Sequence, residues 1–91
     1  MWYKLYNKKS MRHHKTNLCN VSPEEAGTLA GEMEYNALMR FVMALSNKLA
    51  ADGLEQAKEG QTEIAAALKE SSISAYNTGR KIELISKAKR N

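Results

Sequence analysis

The second half of the chain carries apolar residues at a regular helical spacing. Ten positions follow one another alternately three and four residues apart, and seven of them are apolar. They are Leu54, Ala57, Gln61, Ile64, Leu68, Ser71, Ala75, Thr78, Ile82 and Ile85. This spacing places the ten side chains in one narrow stripe along a long α-helix. A helix with a single apolar stripe needs another helix to cover it, so the pattern predicts helix pairing.

An earlier helix is predicted from its start signal. Ser22 suits an N-cap, Pro23 suits the first helical position, and Glu25 stands where a capping box places its acid. We expect this helix to cover residues 22–51. Its middle is apolar over about twice the roughly 100° stripe that one partner helix covers. It should therefore contact two or more helices.

A turn is predicted between the two helices at Asp52-Gly53, because glycine readily takes the left-handed conformation that ends helices. The second helix then covers residues 54–89. A single bent helix is the alternative. Gly60 and Gly79 both lower helix propensity and either could break the second helix. The apolar spacing passes both without a change of phase, so one continuous helix is expected.

These elements predict an all-α fold. It is a two-helix antiparallel hairpin of coiled-coil type over residues 22–91, preceded by a flexible basic arm over residues 1–21. A two-layer unit of this size is marginal by itself, and the first helix has apolar surface to spare. We therefore expect a homodimer or a higher oligomer, with a four-helix bundle formed from two hairpins as the leading arrangement. The predicted protein-interface residues are Met33, Leu38, Phe41, Val42 and Leu45.

Charge is distributed unevenly along the chain. The net charge is +4, made of +5 over residues 1–20, −5 over residues 21–79 and +4 over residues 80–91. The first segment combines five basic residues with three aromatic ones near its start, a combination that suits phosphates and unpaired bases. The predicted nucleic-acid contacts are Trp2, Tyr3, Lys4, Tyr6, Lys8, Lys9, Arg12 and Lys15. The acidic middle argues against nucleic acid lying along the helices.

No group of residues has the composition of a catalytic or metal site. His13, His14 and Cys19 supply three soft ligands, whereas zinc sites usually bring four in recognisable pairs. The serines at 71–74 have no histidine base outside the N-terminal segment. We therefore predict no enzyme, no cofactor and no metal.

The cellular setting is predicted from what the sequence contains. Its single cysteine, Cys19, excludes an internal disulfide and favours a reducing compartment, with an intermolecular disulfide as the alternative. No apolar run approaches the roughly 18 residues of a membrane span. The basic N-terminal stretch lacks the apolar centre of a signal peptide. We expect a cytoplasmic protein that does not enter the membrane.

Two functions fit these expectations. The leading hypothesis is a non-enzymatic interaction protein, such as an adaptor, assembly factor or regulator. It would self-associate and bind a protein partner through the apolar surface of its first helix. The alternative is a small nucleic-acid-associated regulator that uses the basic N- and C-terminal segments.

Overall fold

The computed structural model describes residues 16–89, which form three α-helices and no β-strand. The helices are α1 (Pro23–Gly31), α2 (Tyr35–Lys58) and α3 (Thr62–Lys89). The chain divides into two compact units after Gly31, and the second unit contains α2 and α3 packed against each other. The prediction of an all-α fold with two long paired helices is confirmed.

A tight turn precedes α1. Leu18 and Val21 exchange two backbone hydrogen bonds of 3.0 Å. Between them Cys19 and Asn20 both have positive φ, 51° and 68°, as in a type I′ turn. Residues 18–21 of the predicted flexible arm therefore form a turn, while residues 1–15 of that arm lie outside the described range.

The predicted N-cap of the first helix is confirmed. The backbone N–H of Glu25 donates to the Ser22 hydroxyl at 3.1 Å, which satisfies one of the free donors at the start of α1. The N–H of Ala26 donates to the Ser22 carbonyl at 2.8 Å, the first bond of the helical series. Local sequence alone therefore decides where α1 begins.

The single helix predicted over residues 22–51 is wrong, because the chain leaves the helical conformation at residues 32–34. Glu34 has φ −59° and ψ 155°, and its carbonyl accepts the first bond of α2 from the N–H of Leu38 at 2.9 Å. No residue of α1 is buried, so packing does not hold this segment in a longer helix. Two glycines further lower its helix propensity, and α1 ends at the second.

The predicted stop at Asp52-Gly53 is also wrong, because α2 continues through it. Asp52 is paired within the helix to Lys48, with 2.9 Å between Nζ and Oδ1. Gly53 is buried, and a Cβ atom at this position would lie 3.4 Å from the carbonyl oxygen of Ala65 in α3. This glycine allows close contact between helices and has no role in ending one.

The chain turns instead at Gly60, whose φ is 80°. The N–H of Gly60 donates to the carbonyl of Ala57 at 3.1 Å, and that of Gln61 donates to the carbonyl of Gln56 at 2.9 Å. These two bonds define a Schellman motif, which satisfies the last carbonyls of a helix. The helix predicted over residues 54–89 is therefore wrong at its start, since its first residues belong to α2 and to this turn.

The seam between α2 and α3 is built around small residues. Each helix contributes positions spaced alternately three and four apart, all of them buried or half-buried. From α2 they are Met39, Val42, Ser46, Leu49, Gly53 and Gln56, and from α3 they are Ala65, Leu68, Ser72, Ala75, Gly79, Ile82 and Ser86. Among residues 16–89 the buried ones are serines and glycines, and no hydrophobic side chain is buried.

Two contacts fix the register of the seam. The hydroxyl of Ser46 donates to the backbone carbonyl of Ser72 at 2.8 Å, and the hydroxyl of Ser72 donates to the carbonyl of Ser46 at 2.9 Å. Gly53 lies further along α2 and meets Ala65, which lies earlier in α3. The two helices therefore run antiparallel, as the sequence predicts.

Gly79 lies within α3 and does not break it. It is buried, and a Cβ atom on it would lie 2.9 Å from the sulfur of Met43 in α2. Real Cβ atoms do not approach a neighbour this closely without displacing it. The thioether of Met43 thus occupies the space that the missing side chain leaves open.

Candidate interaction surface

Four of the five predicted interface residues lie on one side of α2. At about 100° of rotation per residue, Leu38, Phe41, Val42 and Leu45 point to neighbouring directions. Phe41 and Leu45 are 42% and 47% exposed, while Leu38 and Val42 are half-buried. Met33 is the exception, because it lies in the connection that precedes α2.

A matching apolar side runs along α3. Ile64 and Ile85 are 50% and 44% exposed, and both belong to the stripe predicted from the sequence. Leu68 and Ile82 are half-buried and lie between them on the same side. The stripe thus reaches from the turn to the far end of α3.

The stripe predicted on α3 is centred beside the seam and not on it. Three of its members in α3 lie in the seam, namely Leu68, Ala75 and Ile82. The other four are exposed, namely Ile64, Ser71, Thr78 and Ile85. The residue that directly follows each of these four takes the seam position, and it is Ala, Ser, Gly or Ser. Alanine, serine and glycine contribute little to a hydrophobic pattern. The stripe predicted from that pattern is therefore offset by one residue from these seam positions.

The apolar sides of α2 and α3 face the same way. Both helices are right-handed and they run antiparallel. Moving one residue towards the N-terminus from a seam position therefore leads to the same side of the hairpin in both helices. Leu45, Ile64 and Ile85 each directly precede a small seam residue. They therefore share one surface of the hairpin.

We call this surface the apolar face. It comprises Leu38, Phe41, Val42, Leu45 and Leu49 from α2, and Ile64, Leu68, Ile82 and Ile85 from α3. It extends over roughly 32 Å on α3, from Ile64 to Ile85, and over roughly 17 Å on α2, from Leu38 to Leu49, and two adjacent helices are roughly 20 Å wide. On α3 its apolar residues form two groups, because the exposed Ser71 and Thr78 lie on the same side between Leu68 and Ile82.

The opposite surface, which we call the charged face, carries an ion-pair cluster. Residues that directly follow a small seam residue point to it, among them Arg80 and Lys87. Arg80 donates to the Tyr76 hydroxyl at 3.2 Å and lies 3.1 Å from a Glu83 carboxylate oxygen. The hydrogen bond to Tyr76 and the negative charge of Glu83 favour the protonated guanidinium and so raise the pKa of Arg80. Lys87 approaches the other Glu83 oxygen at 3.7 Å.

Comparison with known proteins assigns neither face. No family model, no curated protein sequence and no solved structure matches the chain. None of the helices in residues 16–89 has an apolar stretch long enough for it to cross a membrane. Function is therefore argued from the chemistry of the two faces.

The remaining predicted sites fall mainly outside the described range. All eight predicted nucleic-acid contacts lie there, namely Trp2, Tyr3, Lys4, Tyr6, Lys8, Lys9, Arg12 and Lys15, so that hypothesis stays a prediction. His13 and His14 also lie there. Within residues 16–89 no three His, Cys, Asp or Glu residues are grouped as metal ligands. Two basic residues of the C-terminal segment, Arg80 and Lys87, are paired with Glu83.

The contribution of α3 to the apolar face is the feature that sequence reasoning missed. The interface was predicted on the first helix alone, while Ile64 and Ile85 were assigned to the seam. A usable signal was present in Ser72, Gly79 and Ser86, which recur at seven-residue intervals. A heptad of small residues is typical of a close antiparallel seam. With these three residues in the seam, Ile64 and Ile85 are predicted on the surface beside it.

Proposed function

We propose that this chain is a non-enzymatic interaction protein that acts by self-association, with the apolar face as its contact surface. One observation carries this proposal: α2 and α3 bury no hydrophobic side chain, yet they expose nine large ones, and four of these, Phe41, Leu45, Ile64 and Ile85, lie on the apolar face. Contiguous apolar patches of this extent usually mark sites of protein contact.

The energetics of the hairpin point the same way. Fully burying a leucine or isoleucine side chain stabilises a protein by about 1.5–3 kcal/mol, and the seam gains little of this from serines and glycines. The whole side of the hairpin that carries the apolar face has a projected area of roughly 700 Å², and each partner buries roughly 800 Å² in a standard interface, so a contact of that size would also include polar residues of this side. Covering the apolar face supplies the hydrophobic stabilisation that the seam lacks.

Two hairpins packed through their apolar faces would form a four-helix bundle. Both charged faces would then point outward into solvent. A small adaptor, assembly factor or regulator of this kind works by presenting such a surface and by its state of association. The proposal requires no chemical step.

The test compares two isoleucines of α3 that are each 50% exposed. Ile64 lies on the apolar face, and Ile73 directly follows Ser72 and so lies on the charged face. Ile64→Asp should reduce the mass seen in sedimentation equilibrium to that of one chain, because it places a charge in the contact. Ile73→Asp should leave the mass unchanged. Equal behaviour of the two variants would reject the apolar face as the contact surface.

A further inference from the structure

Building on the proposed function, we infer that the occupant of the apolar face is a second copy of this chain in antiparallel orientation. The turn end of one hairpin lies against the open end of the other. A twofold axis across the hairpin produces this arrangement and stacks α3 on α3 and α2 on α2. A twofold axis along the hairpin would give a parallel arrangement, with α2 of each copy over α3 of the other.

The distribution of charge favours the antiparallel arrangement. The half of the hairpin nearer the turn, residues 44–75, has five acidic and three basic residues. The open half, residues 32–43 and 76–89, has three acidic and five basic residues. Three of these five bases, Arg40, Arg80 and Lys87, directly follow seam residues and so lie on the charged face, away from the contact. An antiparallel pair keeps the two acidic turn halves apart, whereas a parallel pair places them together.

The acidic residues at the outer edge of the turn end have different neighbours in the two arrangements. In the parallel arrangement Glu63 of one copy lies at the level of Glu55 of the other, because these residues stand near one another across the hairpin. In the antiparallel arrangement Glu59 and Glu63 lie instead towards the C-terminal end of α3 in the second copy, where Lys89 stands. Opposite charges replace like charges at both ends of the dimer.

The apolar residues agree with the charges. The apolar side of α3 spans most of the helix, from Ile64 to Ile85, while that of α2 is confined to its first half and ends at Leu49. Parallel packing would lay Ile64 over the polar second half of α2, near Asp52. In antiparallel packing Ile64 lies over Ile85 of the second copy, so the two apolar ends of α3 contact each other at both ends of the dimer.

A disulfide-trapping experiment tests the orientation. Full-length chains with Cys19→Ser, carrying either Ile64→Cys or Ile85→Cys, are mixed and oxidised with a glutathione redox buffer. A disulfide requires Cα atoms within about 7 Å, and the two positions are roughly 32 Å apart along one α3. The antiparallel dimer should give a covalent dimer between the two variants, identified by mass spectrometry of the linked peptides. A sedimenting dimer without that linkage overturns the orientation and leaves the proposed function standing. Monomers of both variants, with a monomeric parent chain, reject the proposed function as well.

Charge reversal provides an independent measurement on the same dimer. Glu59→Lys with Glu63→Lys, or Lys81→Glu with Lys89→Glu, should each weaken dimerisation roughly tenfold at low salt, and all four together should restore it. Glu70→Lys, near the middle of α3, is the control and should change the dissociation constant little. Tighter dimerisation after reversal at the turn end would indicate the parallel arrangement and overturn the inference.

Discussion

Ser46 and Ser72 exchange hydrogen bonds across the seam, each hydroxyl donating to the backbone carbonyl of the other residue at 2.8 and 2.9 Å. The two hydroxyl oxygens are 3.3 Å apart. A side chain as short as serine reaches the backbone of a neighbouring helix only where the two backbones are close. This pair therefore reports both the register of the hairpin and the narrowness of its seam.

Replacing Ser72 with alanine should lower the free energy of unfolding by about 1 kcal/mol, because one buried hydrogen bond is lost. Ser72→Leu should cost more, about 1–3 kcal/mol, because the added volume pushes α3 away from α2. Urea denaturation at one fixed protein concentration measures both effects. The exposed Ser74→Ala is the control. If Ser72→Leu were as stable as the parent chain, the seam would not be as close as described.

The contact between Gly79 and Met43 predicts non-additive substitutions. Gly79→Ala should gain helix propensity worth about 1 kcal/mol, but its new Cβ atom would lie 2.9 Å from the Met43 sulfur. The full gain should appear only when Met43→Ala has removed that side chain. A double-mutant cycle in thermal or urea unfolding measures the coupling. Additive effects of the two substitutions would show that Met43 does not fill this space.

The left-handed conformation at Gly60 predicts a penalty for any side chain there. Gly60→Ala should lower the free energy of unfolding by about 1–2 kcal/mol, and Gly60→Asn should lower it less, since asparagine tolerates this conformation better. Gly27→Ala is the matched control, because Gly27 is helical and a Cβ atom on it would have no neighbour within 4 Å. A Gly60→Ala variant with undiminished stability would place the turn elsewhere.

The N-cap of α1 is accessible to a local measurement. Ser22→Ala should destabilise the first turn of α1 by about 1 kcal/mol and speed amide hydrogen exchange at Glu25, whose N–H loses its partner. Ser22→Asp should retain protection, because a carboxylate also accepts this bond. Unchanged exchange at Glu25 in the alanine variant would show that the cap does not protect this amide.

Sequence reasoning predicts the helical class and one helix start, and it fails at the turns. The start at Ser22 depends on neighbours in sequence, so local chemistry is sufficient. Gly53 and Gly60 are equally plausible stops by local chemistry. The difference arises from packing, because Gly53 faces Ala65 across the seam while Gly60 takes positive φ. No single-residue preference distinguishes these two uses of glycine.

The sequence likewise predicts only part of the candidate site. Hydrophobic spacing predicts Phe41 and Leu45 as interface residues, and both are exposed, while it groups Ile64 and Ile85 on one side of α3. It assigned those isoleucines to the seam, because the rule that apolar residues cover the nearest helix assumes a seam made of large side chains. Here the buried positions of the seam are small residues, larger ones such as Leu49 and Leu68 are only half-buried there, and Ile64 and Ile85 are exposed.

Serines and glycines at the buried positions of the seam separate two roles, closing the hairpin and forming an outward contact surface. In most helical bundles the same residues serve both roles. The buried residues of the seam, such as Ser46 and Gly53, lie outside the apolar face, while Phe41 and Leu45 are exposed on that face and lie outside the seam. Outward residues can therefore be exchanged for others of different shape without reopening the hairpin. The hairpin is therefore suited to the engineering of new pairing specificities, because its exposed contact residues can be changed while the backbone stays the same.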